Sequence, residues 1–458
     1  MITDLIGDLA LSAGLPALKR AVGVVTRVLP IPQPTLMVGP GSSARLGETI
    51  SDLGHRRILI VTDGVITRLG LMKPLLEALT RGNSSFVVFD EITPDAPIPL
   101  VEKGIDLYLS QGCDAIVAFG GGSVMDSAKA IGISVANGKH PRQLVGYFKG
   151  WNPPPPLYAV PTTAGTGSEV TVAAVISDPE NGTKLVIADT RIVPRLAALD
   201  PCLMTGLPAP ITAATGMDAL THAIEAYIGD WGTDYTDRMA LAAVAMIYEN
   251  LPIAFASGKD LAAREKMALA STYAGLAFTR ANVGNVHAIA HQLGGKYHTP
   301  HGLANAIVLP AVLRFSSPAI TRKLATLAAR AGVGEQGRPE VEQARAFVES
   351  VDSMNAALGI PAQLDALREE DIPALAKAAC WEADTNYPVP RRMSQADCEK
   401  LLREILPVAA RPEPAAALPE PAAQGPRRRP APTRTTRSVM RGSGKGREAG
   451  APRPPRVG

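Results

Sequence analysis

Apolar residues in the first two hundred positions gather in short unbroken runs: Ile58-Leu59-Ile60-Val61, Phe86-Val87-Val88-Phe89, Ala115-Ile116-Val117-Ala118-Phe119 and Leu157-Tyr158-Ala159-Val160. Runs this short, with no polar alternation, predict strands buried on both faces. Stretches with helical spacing lie between them, such as Leu75, Leu76 and Leu79. The predicted element is therefore a parallel sheet with helices on both sides. Asn181-Gly182, between apolar segments at 173–176 and 184–187, predicts a hairpin.

After Asp200-Pro201 the pattern changes. Residues 208–405 are rich in Ala and Leu with a period near 3.6, and helices are predicted over 211–227, 236–250, 261–279 and 285–293. The expected fold is an α/β N-terminal nucleotide-binding domain with a Rossmann-like parallel sheet, followed by an all-α C-terminal domain. The expected boundaries are 33–204 for the first and 205–410 for the second, with the cleft between them as the ligand site. An N-terminal extension at 1–32 is expected to form an amphipathic helix or two, packed on the body or on a partner subunit. Residues 411–458 hold 10 of the 40 prolines and are expected to be a disordered Pro/Arg-rich tail.

Composition adds exclusions. The 458-residue chain is 46% hydrophobic and 19% charged, as a soluble globular protein would be. Its net charge of +3 is unevenly spread, since residues 411–458 carry 11 of the 46 Lys+Arg but only 3 of the 43 Asp+Glu. The body is mildly acidic, so nucleic acid is not an expected partner. Cys113, Cys202, Cys380 and Cys398 are scattered, which fits a reducing cytoplasm. The acidic start of the chain is unlike a signal peptide. No uninterrupted apolar run approaches the roughly 18 residues of a membrane span, so no membrane partner is expected.

Candidate chemistry sits at the ends of the predicted strands and on the later helices. Gly120-Gly121-Gly122-Ser123-Val124-Met125-Asp126 leaves a strand and opens a helix, where free N–H groups and the helix dipole favour a phosphate. A tight strand–helix turn stabilised by Asp126 is the plainer reading. Pro161-Thr162-Thr163-Ala164-Gly165-Thr166-Gly167-Ser168-Glu169 leaves another strand of the same sheet, which puts both loops on its C-terminal edge. Asp63 ends the first clear strand and could hold a ribose hydroxyl or cap a helix. Asp218 and His222 are one helical turn apart, about 6 Å along the axis, and aim an oxygen and a nitrogen at one point. His287, His291 and His301 follow in a chain of only seven histidines, with Pro300-His301-Gly302 predicted as a turn. Spacing leaves open which of His287 and His291 binds a metal. His298 has no partner spacing and reads as surface or turn.

These motifs together resemble the iron-containing alcohol dehydrogenases, within the dehydroquinate-synthase-like superfamily. The resemblance runs from about 33 to 408 and is carried by four segments: residues 120–126, 161–169, 216–225 and 287–306. It implies Asp218, His222, His287 and His301 as ligands of a divalent metal, Fe²⁺ first with Zn²⁺ as the alternative. His291 matches a histidine beside the nicotinamide that relays protons, so His291, Asp218 and His287 form the implied catalytic set. Gly121, Gly122 and Ser123, with Asp126, match the pyrophosphate loop. Thr162, Thr163 and Thr166 match the loop around the middle of the nucleotide, and Lys184 matches a lysine near the nicotinamide ribose. Asp63 matches the acidic residue that goes with NAD rather than NADP. The implied activity is hydride transfer between a small alcohol, or its aldehyde or ketone, and NAD, in a cytoplasmic homodimer. Val389-Pro390-Arg391 departs from the family's usual Asn-Pro-Arg.

Three rivals are weighed beside it. One is a specialised reductase of oxo-acids, such as a maleylacetate-type enzyme. A second is a dehydroquinate-synthase-like lyase, which needs basic residues around an anionic substrate. The segments at 213–214 and 288–290 are apolar and argue against it. A third is a scaffold that acts through its basic tail, against which the intact set of metal-binding residue types speaks.

Overall fold

The four predicted strands and two shorter ones, at 35–38 and 196–199, pair in one six-stranded parallel sheet, whose order, with the strands labelled as follows, is β1-β9-β6-β4-β2-β3. In this computed structural model, residues 29–407 are described, apart from 182 and 336, together with Gly23. The strands are β1 (Thr35–Val38), β2 (Arg57–Val61), β3 (Ser85–Phe89), β4 (Ala115–Gly120), β6 (Leu157–Pro161) and β9 (Leu196–Leu199). β5 (Gly146–Tyr147), β7 (Ala173–Asp178) and β8 (Thr183–Ala188) make a second, small sheet. In it the predicted hairpin appears as the antiparallel β7–β8 pair. The amphipathic extension predicted for 1–32 falls mostly outside the described residues, and the predicted tail lies wholly outside them.

Why the strands read as unbroken apolar runs is visible in the packing. Ile58 and Ile60 face one side with Leu46 and Ile50 of α1 (Ser42–Asp52) and Leu75 and Leu79 of α3 (Lys73–Arg81); α2 is the short Gly64–Leu69. Leu59 and Val61 face the other, with Val101 of α4 (Ile98–Ser110) and Ala128 and Ile131 of α5 (Gly122–Asn137). Each such side chain contributes about 1.5–3 kcal/mol by leaving water. The chain runs from β2 out to the edge strand β3 and then returns to β4 on the other side of β2. The strand order therefore reverses between β2 and β4, and a crevice opens at their C-terminal ends.

Past residue 208 the described structure is helical: α6 (Ala209–Ile228), α7 (Asp234–Ala256), α8 (Leu261–Ala281), α9 (Asn285–Tyr297), α10 (His301–Arg330), α11 (Glu340–Ala357), α12 (Ile372–Asn386) and α13 (Gln395–Glu404). α6 is buried almost all round, from Gly216 to Ile228, as a helix at the centre of a helical layer must be. Asp260 caps α8, its carboxylate accepting from Ala263 N. Two expectations are corrected. α9 runs on to Tyr297 instead of stopping before the paired glycines, with His298 as its left-handed C-cap. His301 opens a thirty-residue helix where a turn was predicted, because Pro300 sits at the N-cap, where its missing N–H costs nothing. That helix kinks at Ile320, two residues after Pro318. α7 and α10 are long and apolar enough to cross a membrane by length and composition alone. Both instead contribute to the core of the helical layer.

Candidate metal and nucleotide site

Metal-ligating side chains converge from three helices. Asp218 and His222 stand on one face of α6, His287 on the first turn of α9, and His301 at the first position of α10. One donor atom from each lies within 4.8 Å of all the others. His222 and His287 stack with ring centroids 4.6 Å apart, and His301 Nε2 lies 3.5 Å from Asp218 Oδ1. His222, His287 and Asp218 are buried, and His301 is one-third exposed.

Burial sets the charge of this cluster. It lowers the pKa of His222 and holds His287 well below the usual imidazole range, where the neighbouring histidines push the same way. His301 is brought down to about 4 by burial, against the pull of Asp218. Three neutral imidazoles offer lone pairs, and one carboxylate offers a hard negative oxygen. His222 Nδ1 is buried and has no hydrogen-bond partner. An orphaned nitrogen beside a carboxylate and two further neutral imidazoles fits a divalent cation, and the donor set suits Fe²⁺ or Zn²⁺.

Residues that the sequence reading passed over hold this cluster in place. Glu225, one further turn along α6, accepts from His287 Nδ1 at 2.6 Å, Gly284 N at 2.8 Å and Val286 N at 2.7 Å. It thereby fixes the His287 tautomer with Nε2 turned to the cluster, and it caps the start of α9 from another helix. Its position seven residues after Asp218 was a readable signal. Asn305, fully buried on the first turns of α10, donates to Asp218 Oδ1 at 2.7 Å and lies 3.1 Å from His287 Nε2 and 3.2 Å from His301 Nε2. His291 lies beside the cluster, its ring stacked on His301 at 5.3 Å. Its Nδ1 pairs with Glu382 of α12 at 2.6 Å, and Glu382 also accepts from Tyr387 and Gln292.

The residues expected to meet a nucleotide come together at the adjacent C-terminal ends of β2, β4 and β6. Gly121 precedes α5 and Gly122 opens it, with Thr166 of the neighbouring loop pressed close: a Cβ on Gly122 would stand 2.7 Å from Thr166 Cγ2. Thr162 N donates to Gly120 O, which ties the two loops at their base. Thr162 is buried, whereas Thr163 and Thr166 are half-exposed. Ser123 Oγ accepts from Asp95 N, and Asp95 in turn holds the Lys184 ammonium at 2.7 Å. Asp63 leaves β2 and caps α2, Oδ1 accepting from Val65 N and Ile66 N. Asp126 is turned inward: Oδ1 accepts from Ser168 Oγ and Oδ2 from Val175 N. The 161–169 loop also packs against α6, where a Cβ on Gly165 would stand 2.8 Å from Thr215 Cβ.

A crevice at the reversal of the strand order, beside a buried carboxylate–imidazole cluster, is the arrangement of a metal-dependent enzyme that also takes a nucleotide. Residues 33–201 match the family "Iron-containing alcohol dehydrogenase", and residues 212–406 match "Fe-containing alcohol dehydrogenase family, C-terminal". The chain is 39% identical over 370 residues to a 1,3-propanediol dehydrogenase of Citrobacter freundii, covering 80% of this chain and 95% of that one. It is 37% identical to an NAD-dependent methanol dehydrogenase of Bacillus methanolicus, covering 81% and 98%. It is 38% identical to a lactaldehyde reductase of Escherichia coli K12, covering 75% and 91%. The solved structure of a 1,3-propanediol oxidoreductase superposes with a TM-score of 0.80 at 38% identity, covering 82% of this chain and 99% of that one. The chain belongs to the iron-containing alcohol dehydrogenase family.

Proposed function

We propose that this chain carries out the reversible NAD-linked oxidation of a small alcohol to its aldehyde or ketone, with Asp218, His222, His287 and His301 as the metal ligands. The observation that carries this reading is the gathering of those four donor atoms within 4.8 Å beside the nucleotide loops. When bound, the metal supplies Lewis acidity to the alcohol or carbonyl oxygen, and the nicotinamide supplies the hydride acceptor. Asp218 supplies the negative charge, and burial keeps the three imidazoles neutral and open as donors. The N–H groups at the start of α5 hold the pyrophosphate, while Thr163 and Thr166 line the neighbouring loop. Lys184, steadied by Asp95, reaches towards the nicotinamide ribose, and Asp63 accepts from the 2′-hydroxyl of the adenosine ribose through the oxygen not spent on the α2 cap. His291 takes the proton released by the alcohol on Nε2, because Glu382 occupies its Nδ1. Asp126 shapes the loop from below.

The same proposal includes a homodimer in the cytoplasm, for which the four free cysteines speak in part. It is tested by NADH formation at 340 nm from short primary alcohols and diols, first on chelator-treated protein and then with Fe²⁺ or Zn²⁺ restored. Turnover is expected to return with the metal. His222→Ala and His287→Ala are each expected to lose metal retention and turnover together, and activity preserved in either would end the ligand assignment.

A further inference from the structure

Lys129 lies within α5, only 1% exposed, and no step proposed above uses it. Its Nζ donates to Ser168 Oγ at 3.0 Å, Thr171 Oγ1 at 2.9 Å, Thr171 O at 3.0 Å and Ala173 O at 2.8 Å. An ammonium has three protons, so these acceptors share them. Burial pushes the lysine down to about 8, while the charges of Asp126 and Glu169 pull it back up. Taking an ammonium out of water is costly, and an apolar chain of equal length would fill the space more cheaply.

What the ammonium holds is informative. Every acceptor belongs to residues 168–173, the segment that closes the threonine-rich loop. That segment has further partners, one on the same helix and one on the opposite side. Ser168 also donates to Asp126, and Glu169 accepts from Thr272 of α8 at 2.7 Å. Gly167, at φ +59°, runs so close to α8 that a Cβ there would stand 2.8 Å from Gly275 Cα. The closing segment is thus suspended between the helix that the glycine loop opens and a helix of the metal-bearing layer, and among the described residues Lys129 makes the largest set of side-chain bonds to it.

We propose that Lys129 is a positioning residue: it sets the height of the 162–166 loop over the N-terminus of α5, so that both loops meet one pyrophosphate. The proposal rests on the NAD reading above. Its test is equilibrium binding of NAD⁺ to metal-loaded Lys129→Met, followed by fluorescence, beside metal affinity by chelator competition and the thermal midpoint. The NAD⁺ dissociation constant is expected to rise about tenfold or more, as a misplaced binding loop implies, while metal affinity stays within about threefold. Because methionine leaves Asp126 without its neighbouring charge, Ser168→Ala and Thr171→Val are measured alongside. Each removes one acceptor, and a smaller rise of the same kind is expected. Wild-type NAD⁺ affinity in folded Lys129→Met, or in both acceptor variants, overturns the proposal. So does a parallel fall of NAD⁺ affinity, metal affinity and thermal midpoint, which would make Lys129 a general core residue. Wild-type protein that binds no NAD⁺ at all overturns the cofactor reading and this proposal with it.

Discussion

Glu225 decides which nitrogen of His287 faces the metal donors, and a carboxylate does this better than its amide. Glu225→Gln keeps the shape but sets an NH₂ against one of the three N–H groups that now donate to the carboxylate. The metal dissociation constant is expected to rise about 10–100-fold while the circular dichroism spectrum is kept. Chelator competition measures it, and an unchanged constant would reduce Glu225 to a helix cap. Part of this was legible residue by residue. Asp218, His222 and Glu225 share one face of α6 by spacing alone, and the first two were assigned on that ground. Asn305 lies four residues after His301, but the helix that makes this spacing meaningful was read as a turn. Glu382 meets His291 from 91 positions away, a pairing that only tertiary packing creates.

Between elements, the Arg142–Asp178 pair ties the short 3-10 turn Pro141–Leu144 to the end of β7. Arg142 donates to both carboxylate oxygens, at 3.0 and 2.8 Å, and holds Asp178 down to about 2, with help from Asn181. Because the folded value lies below the unfolded one, the pair stabilises fully above about pH 4 and is lost as pH falls through about 2. Urea midpoints of wild type and Arg142→Ala should therefore differ most near neutral pH and converge at the acid end. A constant gap would assign the effect to packing. The buried strands were readable because both faces are covered, which leaves nothing polar to interrupt them. β1 and β9 were not, since Thr35–Val38 and Leu196–Leu199 are only four residues each and become strands by pairing with one another and with β6.

For the whole molecule, the division into a sheet with phosphate loops and a helical layer with metal donors was visible in the change of hydrophobic period near residue 200. The way the halves are joined was not, because it runs through backbone contacts and a buried polar network that leave no periodic trace. Every residue assigned a role lies within residues 63–382, and the family match ends at residue 406. Chain ended after Pro407 is accordingly expected to keep its turnover number within about twofold and its metal content. Loss of either would give the last fifty-one residues a part in the chemistry.

At Gly167 and Gly275 the halves meet main chain to main chain, with no side chain between them to flex. A joint without padding acts as a fulcrum. Any breathing of the two layers is expected to pivot there and to show its amplitude away from the joint, for instance at Gly146-Tyr147-Phe148 of the small sheet, where Tyr147 is 65% exposed. Amide hydrogen exchange should be slow at 165–171 and 268–276 and fast at 146–151, and cofactor binding should slow that last segment far more than the pivot. Uniform exchange across both regions would mean that this enzyme takes in and releases its cofactor without rocking.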